Sequence, residues 1–251
     1  MRLLDSKNVF NIQECALAEL HDTNVNNAIN FIKFGCESLS GPLDIIRSFH
    51  NAFRRDISQI DDSVLKIARS GGDLTASLDQ LHIVGEILDY HAKGEEAAVF
   101  PAVDNLAPLV AKAYIMDHRE LDTMVSGLET MRKTPDPLTT ARATAVLNSH
   151  LKIHLHKEDV HLYPILRERT TESEQASIVG LMSKQVPSDR FPTVVQWLFP
   201  LLDLEDRVVV TKVWMTLMPP QVFDGLKLLI KKTVAENWVE LTQRIPELYG
   251  K

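Results

Sequence analysis

One pattern occurs twice in this chain and limits what it can fold into more than any other feature. His91-x3-Glu95 leads into Phe100-Pro101, and His154-x3-Glu158 leads into Tyr163-Pro164. In both copies the acid follows the histidine by four residues, and the aromatic-proline pair begins five residues after the acid. On an α-helix a spacing of four puts both side chains on one face, about 6 Å apart along the axis. Each copy therefore offers an imidazole and a carboxylate together, and both segments have room for them in the middle of a helical bundle. A pair of metal ions is the natural recipient.

The rest of the chain supplies the helices such a bundle needs. Leu43, Ile46, His50, Phe53, Ile57, Ile60, Val64 and Ile67 recur every three or four residues, predicting a helix from 43 to about 68 closed by Ser70-Gly71-Gly72. Leu74, Leu78, Leu81, Val84, Leu88, His91, Glu95 and Val99 mark a second helix that runs into Pro101. A third is expected over roughly 108–132, ended by Lys133-Thr134-Pro135-Asp136-Pro137. The fourth is expected from about 139 to 168, with Val146/Leu147, His150/Leu151, His154, Glu158, His161/Leu162 and Ile165 along one side. Strand signals are nearly absent, and Val208-Val209-Val210 sits within a helical pattern. The expected fold is all-α: an antiparallel up-down-up-down four-helix bundle with additional N-terminal and C-terminal helices. The expected divisions are an extension over 1–41, the bundle over 42–170, and a cap or interface region over 171–251. The last region holds all three tryptophans (Trp197, Trp214, Trp238) and no histidine. It suits packing onto the bundle or assembly of copies of the chain.

Composition removes several function classes. A formal charge of -7 argues against a nucleic-acid surface, which needs concentrated Lys and Arg. No run reaches the length of a membrane span, and Met1-Arg2-Leu3-Leu4-Asp5 lacks an apolar signal region. Cys15 and Cys36 match no zinc spacing and read as reduced thiols. The expectation is a cytoplasmic protein without nucleic-acid or membrane partners. The His21-Asp22 doublet reads as a helix-end pair rather than a phosphohydrolase site.

Each predicted bundle helix carries a histidine on or beside its apolar stripe: His50, His91, His118 and His154. A lone histidine on such a face is usually a hydrogen-bonded core residue. Four, two of them paired with acids at i+4, point instead to metal, because buried carboxylates cost several kcal/mol unless paired or metal-bound. Asp122 lies four after His118 and reads as a further ligand; Tyr114 lies four before it and reads as a phenol at the site's edge. His150 is a further ligand candidate, whereas His161, Glu96 and Asp159 read as solvent-side. Imidazoles mixed with carboxylates suit Fe or Mn, and a dinuclear zinc site stays open. Two irons bridged by Glu95 and Glu158, with the imidazoles as terminal ligands, account for every member.

These motifs together resemble the hemerythrin-like HHE cation-binding family. The resemblance rests on His50, on His91/Glu95/Glu96/Phe100/Pro101, on Asp117-His118-Arg119-Glu120-Leu121, and on His154/Glu158/Tyr163/Pro164, covering about 43–170. It implies a non-haem di-iron centre that binds or activates O2, peroxide or nitric oxide. This chain departs from the oxygen carriers of that family, which have a second histidine one turn along the third helix where Asp122 stands here. The more carboxylate-rich set favours higher oxidation states of iron over reversible oxygen carriage. The leading expectation is therefore a protein that binds or turns over a small oxidant in a peroxidase-like or catalase-like way, with Tyr114 as donor. The alternative is a non-enzymatic iron, oxygen or redox sensor whose C-terminal region meets a partner. A bundle with satisfied core histidines and no metal is the third reading.

Overall fold

A computed structural model describes residues 41–249. The expected helical segments before Gly41, with Cys15, Cys36 and His21, lie outside the described residues. Within them every regular element is helical. The bundle comprises α1 (Asp44–Ser70), α2 (Thr75–Gly94) continued by α3 (Phe100–Leu106), α4 (Ala111–Met131), and α5 (Pro137–Lys157) continued by α6 (Tyr163–Arg169). Five more helices follow: α7 (Glu172–Ser183), α8 (Phe191–Leu201), α9 (Leu204–Leu217), α10 (Pro220–Thr233) and α11 (Trp238–Arg244). No described helix is long and apolar enough to cross a membrane.

Local chemistry sets the helix ends. α1 stops where Gly71 turns to φ 78°, a left-handed conformation that costs glycine little, and its N–H closes on the Ile67 carbonyl at 2.8 Å. α5 starts two residues earlier than its apolar pattern suggests. Pro137 occupies the first turn, where its missing N–H costs nothing, and Asp136 caps the helix by accepting the Thr139 N–H at 2.8 Å. The predicted stripes face inward: Phe53, Ile57, Ile60 and Val64 of α1, Leu78, Leu81 and Val84 of α2, and Leu147 and Leu151 of α5 are buried.

The C-terminal helices belong to the same compact unit as the bundle. Trp197 of α8 is buried with its ring 4.9 Å from Phe53, and its Nε1–H donates to Asp56 of α1 at 2.6 Å. Asp206 of α9 accepts from Ser48 and Asn51 of α1, each at 3.0 Å. Arg190, just before α8, donates through Nε to Glu86 of α2 at 2.6 Å. Trp214 stacks on Phe199 at 5.8 Å, so two of the three tryptophans are buried within this chain. Gly94 permits the closest approach. A Cβ there would lie 2.4 Å from Met182 Cγ and 3.2 Å from the Met182 carbonyl oxygen, so any larger residue would push Met182 and α7 back from the end of α2.

Candidate metal centre

Both long bundle helices change pitch at the acid of the repeated pattern. Glu95–Val99 and Glu158–Leu162 are single π-helical turns, in which the Phe100 and Tyr163 N–H groups donate five residues back to the Glu95 and Glu158 carbonyls. The following prolines supply the cause. Pro101 and Pro164 have no N–H to give, and their rings would press on the carbonyls four residues earlier, which a wider turn relieves. The consequence is rotational. Five residues of regular helix would leave the aromatic about 140° from the acid; the wider turn closes most of that gap. Phe100 and Glu95 are therefore both buried, as are Tyr163 and Glu158.

Six side chains converge in the core. His50 (α1), His91 (α2), Glu95 and Glu158 form one group, and His118 (α4), His154 (α5) and the same two acids form a second. All six are buried. Oxygen by oxygen, the acids are divided between the groups. Glu95 turns Oε1 to His91 Nε2 (3.3 Å) and His50 Nε2 (3.8 Å), and Oε2 to His118 Nε2 (3.3 Å). Glu158 turns Oε2 to His50 Nε2 (3.6 Å), and Oε1 to His154 Nε2 (3.3 Å) and His118 Nε2 (3.9 Å). His50 and His91 approach Nε2 to Nε2 at 3.0 Å. Two metal–nitrogen bonds of about 2.1 Å at a right angle would span about that distance.

Three of the four imidazoles are held from behind by a carboxylate. Asp159 accepts from His50 Nδ1 at 2.9 Å, Glu96 from His118 Nδ1 at 3.1 Å, and Asp117 from His154 Nδ1 at 3.3 Å. A basic residue neutralises each of them: Arg54 on Asp159, Arg119 on Glu96 (2.7 Å), and Lys157 on Asp117. A carboxylate only accepts, so Nδ1 carries the proton and the Nε2 lone pair faces the centre, as metal-binding histidines require. Glu96 and Asp159, expected to face solvent, thus do otherwise. A position about 100° around from the inward acid points along the seam with the adjacent helix, and that helix brings its histidine there.

The electrostatics show two acids competing for one core. Burial opposes the Glu95 charge, but His91, His118 and His50 outweigh it and hold that carboxyl well below its usual range. Burial and then the charges of Glu95, Asp159 and Asp117 push Glu158 well above its usual range. Burial lowers His154 to about 4. On His50 burial is outweighed by Asp159 and Glu95, and its pKa rises. Burial and both glutamates raise Tyr163, whose hydroxyl donates to Glu95 Oε1.

The residues fit a pair of cations. Glu95 Oε2, His118 Nε2 and both Glu158 carboxylate oxygens are buried without a hydrogen-bonding partner among the described residues. Each such oxygen costs free energy that a cation would recover. Imidazole nitrogens mixed with carboxylate oxygens suit Fe, Mn or Zn rather than Ca or Mg.

Other sequence candidates are placed elsewhere. Asp122 is not brought to the centre; its side chain is 51% exposed and lies 3.6 Å from Arg119. The stripe of α4 is set by His118 and Leu121, and their helix is rotated so that Asp122 falls on its outer side. His150 is likewise exposed, 4.0 Å from Glu120, and His161 is exposed. Tyr114 packs 6.4 Å from the His154 ring, but its hydroxyl donates to the Lys157 carbonyl at 3.3 Å. The phenol that reaches the acids is Tyr163. Its position directly before a helix-interrupting proline, matching Phe100, was the available signal.

Similarity to known proteins agrees with this geometry. The Hemerythrin HHE cation binding domain matches residues 41–166, half of the chain. Among curated proteins of Arabidopsis thaliana, the Zinc finger protein BRUTUS is 23% identical over 172 residues, covering 66% of this chain and 14% of its own length. Two proteins named Zinc finger protein BRUTUS-like are 20% and 19% identical over 192 and 200 residues, each covering 69% of this chain. The chain spans only 15% and 16% of those two relatives. No solved structure gives a significant match. The chain belongs to the hemerythrin HHE cation-binding domain family.

Proposed function

We propose that this protein binds two iron ions between His50, His91, His118, His154, Glu95 and Glu158 and serves as a non-enzymatic cytoplasmic iron, oxygen or redox sensor. The supporting observation is the division of both buried carboxylates, oxygen by oxygen, between two histidine pairs. The four imidazoles and the two glutamates would hold the pair, with both carboxylates shared between the two histidine groups. A bound iron pair would supply reversible electron transfer and affinity for small oxidants. The protein's own groups do the rest. Asp159, Glu96 and Asp117 hold three imidazoles in the ligating tautomer, and Tyr163 keeps its proton and orients Glu95 through a hydrogen bond.

Sensing follows from the cost of the metal-free core. Glu95 Oε2, His118 Nε2 and both Glu158 oxygens are buried without a hydrogen-bonding partner among the described residues, which is costly unless cations meet them. Metal that binds only the folded chain stabilises it by about 2.7 kcal/mol at a free concentration one hundred times Kd. Occupancy is thereby converted into order of the bundle and of the helices fastened to it. The relatives point the same way, because in each of them the similar region is a small part of a much longer protein. Turnover of peroxide, O2 or nitric oxide is the second reading, favoured by the Tyr163 hydroxyl at the acids.

Anaerobic purification followed by metal analysis and an optical spectrum tests the iron pair. Two irons per chain are expected, with both lost in Glu95→Gln and in Glu158→Gln; full retention in both variants refutes the bridging roles. Sensing predicts a large metal-dependent rise in Tm with slow peroxide consumption. Rapid catalytic consumption supports turnover instead.

A further inference from the structure

His91 differs from the other three histidines of the centre in what stands behind it. Asp159, Glu96 and Asp117 accept from Nδ1 of His50, His118 and His154, whereas His91 Nδ1 has no partner among the described residues. Its Nε2 is turned to the centre, 3.3 Å from Glu95 and 3.0 Å from His50 Nε2. A histidine that ligates through Nε2 carries its proton on Nδ1, and that N–H almost always donates to a carboxylate, a carbonyl or water.

The His91 ring also lines a cavity between the bundle and the C-terminal helices. The cavity has a volume of about 80 Å³, is partly open to solvent, and is walled by Ile46, Phe49, Ile87, Val179, Val194 and Trp214. No acidic, lysine or arginine side chain lines it. Two hydroxyls do, and both donate elsewhere: Tyr90 to Glu86 at 2.6 Å, and Ser183 to the Gly180 carbonyl at 2.9 Å. The Trp214 Nε1–H, like His91 Nδ1, has no acceptor among the described residues.

This lining selects the chemistry of an occupant. With no lysine or arginine in the wall, an anion would lose its hydration without a counter-charge, so the occupant is neutral. Apolar walls take a hydrocarbon body, and N–H groups without acceptors take an oxygen that only accepts. The volume is below the roughly 300 Å³ of pockets for drug-sized ligands and nearer the cavity of about 150 Å³ that admits benzene. The enclosed part of the ligand is therefore a few carbons, and any longer group leaves by the mouth.

We propose that this cavity binds a small, neutral, apolar carbonyl compound whose oxygen accepts from His91 Nδ1–H, and that the bound carbonyl strengthens the hold of the His50–His91 group on its metal. The ligand meets the back of the imidazole and does not touch the metal. The second clause rests on the metal reading above; the existence of the site does not. A carbonyl there does for His91 what Asp159 does for His50, fixing the tautomer and raising the basicity of Nε2. The C-terminal helices thereby give the centre an organic input. Coupling of this kind is reciprocal, so metal must strengthen carbonyl binding by the same factor.

Cyclohexanone and methylenecyclohexane are the probes, two rings of nearly equal shape of which only the first has an oxygen acceptor. Each is titrated into the full chain, metal-free and loaded with zinc as a diamagnetic substitute for iron, and followed by amide NMR shifts around Ile87 and Val194. Both should bind, because apolar burial alone carries the ring in. Zinc should tighten cyclohexanone roughly tenfold, the low end for a histidine's backing group, and leave methylenecyclohexane unchanged. Comparing metal states cancels the unequal hydration of the two probes. Val194→Phe, which puts a ring into the cavity, should abolish binding of both with zinc content unchanged; Val179→Met fills the same space if that variant does not fold. Failure of both probes to bind, or binding that survives the filled variant, overturns the site. Equal effects of zinc on the two probes overturn the hydrogen bond to His91. A chain that takes up neither zinc nor iron fails the metal reading instead, and the site then stands or falls on probe binding to the metal-free chain.

Discussion

Asp159→Asn tests whether the carboxylates behind the histidines tune the metal centre. Asp159 accepts from His50 Nδ1 at 2.9 Å, is 18% exposed, and is braced by Arg54. Burial opposes its charge, but His50 and Arg54 outweigh that and hold its pKa at about 2, so it is fully anionic at neutral pH. Asparagine keeps the shape and one acceptor while removing the charge. It also lets an amide N–H face Nδ1, which favours the tautomer whose Nε2 carries the proton and cannot ligate. Removing such a partner typically weakens metal affinity about 10–100-fold, or about 1.4–2.8 kcal/mol. Only one group contains His50, so only one ion should be affected. Titration of the loaded protein with a chelator resolves the two dissociation steps. The expected result is one step shifted by that factor and the other in place. Two unchanged steps, or two steps weakened equally, refute the local mechanism.

Three further outcomes are expected. Asp122→Asn should leave iron content, spectrum and reduction potential unchanged, because that side chain is exposed beside Arg119; loss of one ion would restore it as a ligand. Gly94→Ala should lower Tm, since crowding against Met182 costs about 1–3 kcal/mol and exceeds the roughly 0.5–1 kcal/mol gained from helix propensity; an unchanged melting curve would show that α7 yields freely. Glu86→Gln should cost about 0.5 kcal/mol at neutral pH, as a partly exposed ion pair does. Hydrogen bonding to Arg190 lowers the Glu86 pKa, so its contribution is present above 4.5 and disappears as pH falls through the lowered folded value. A stability difference between parent and variant that persists in strong acid contradicts that assignment.

The four bundle helices and the meeting of His50, His91, Glu95, His118, His154 and Glu158 were legible in the residue order, because spacings of three and four fix which side chains share a helix face. Gly71 and the Asp136-Pro137 pair likewise announced helix ends through conformations and hydrogen bonds that are local. What spacing does not fix is how far each helix is rotated about its axis against its neighbours. That rotation turned Asp122 outward and brought Glu96 and Asp159 onto histidines of other helices, reversing their expected positions. Nor does a regular period survive a π turn. The extra residue before Pro101 and Pro164 swung Phe100 and Tyr163 inward, so that Tyr163 rather than Tyr114 reached the acids. The seat of the C-terminal helices was decided by tertiary contact alone. Trp197 finds Asp56, Arg190 finds Glu86, and Met182 finds the gap left by Gly94, each across more than 80 residues of chain. Those pairings depend on the shapes of two finished surfaces, which no periodicity within either segment encodes.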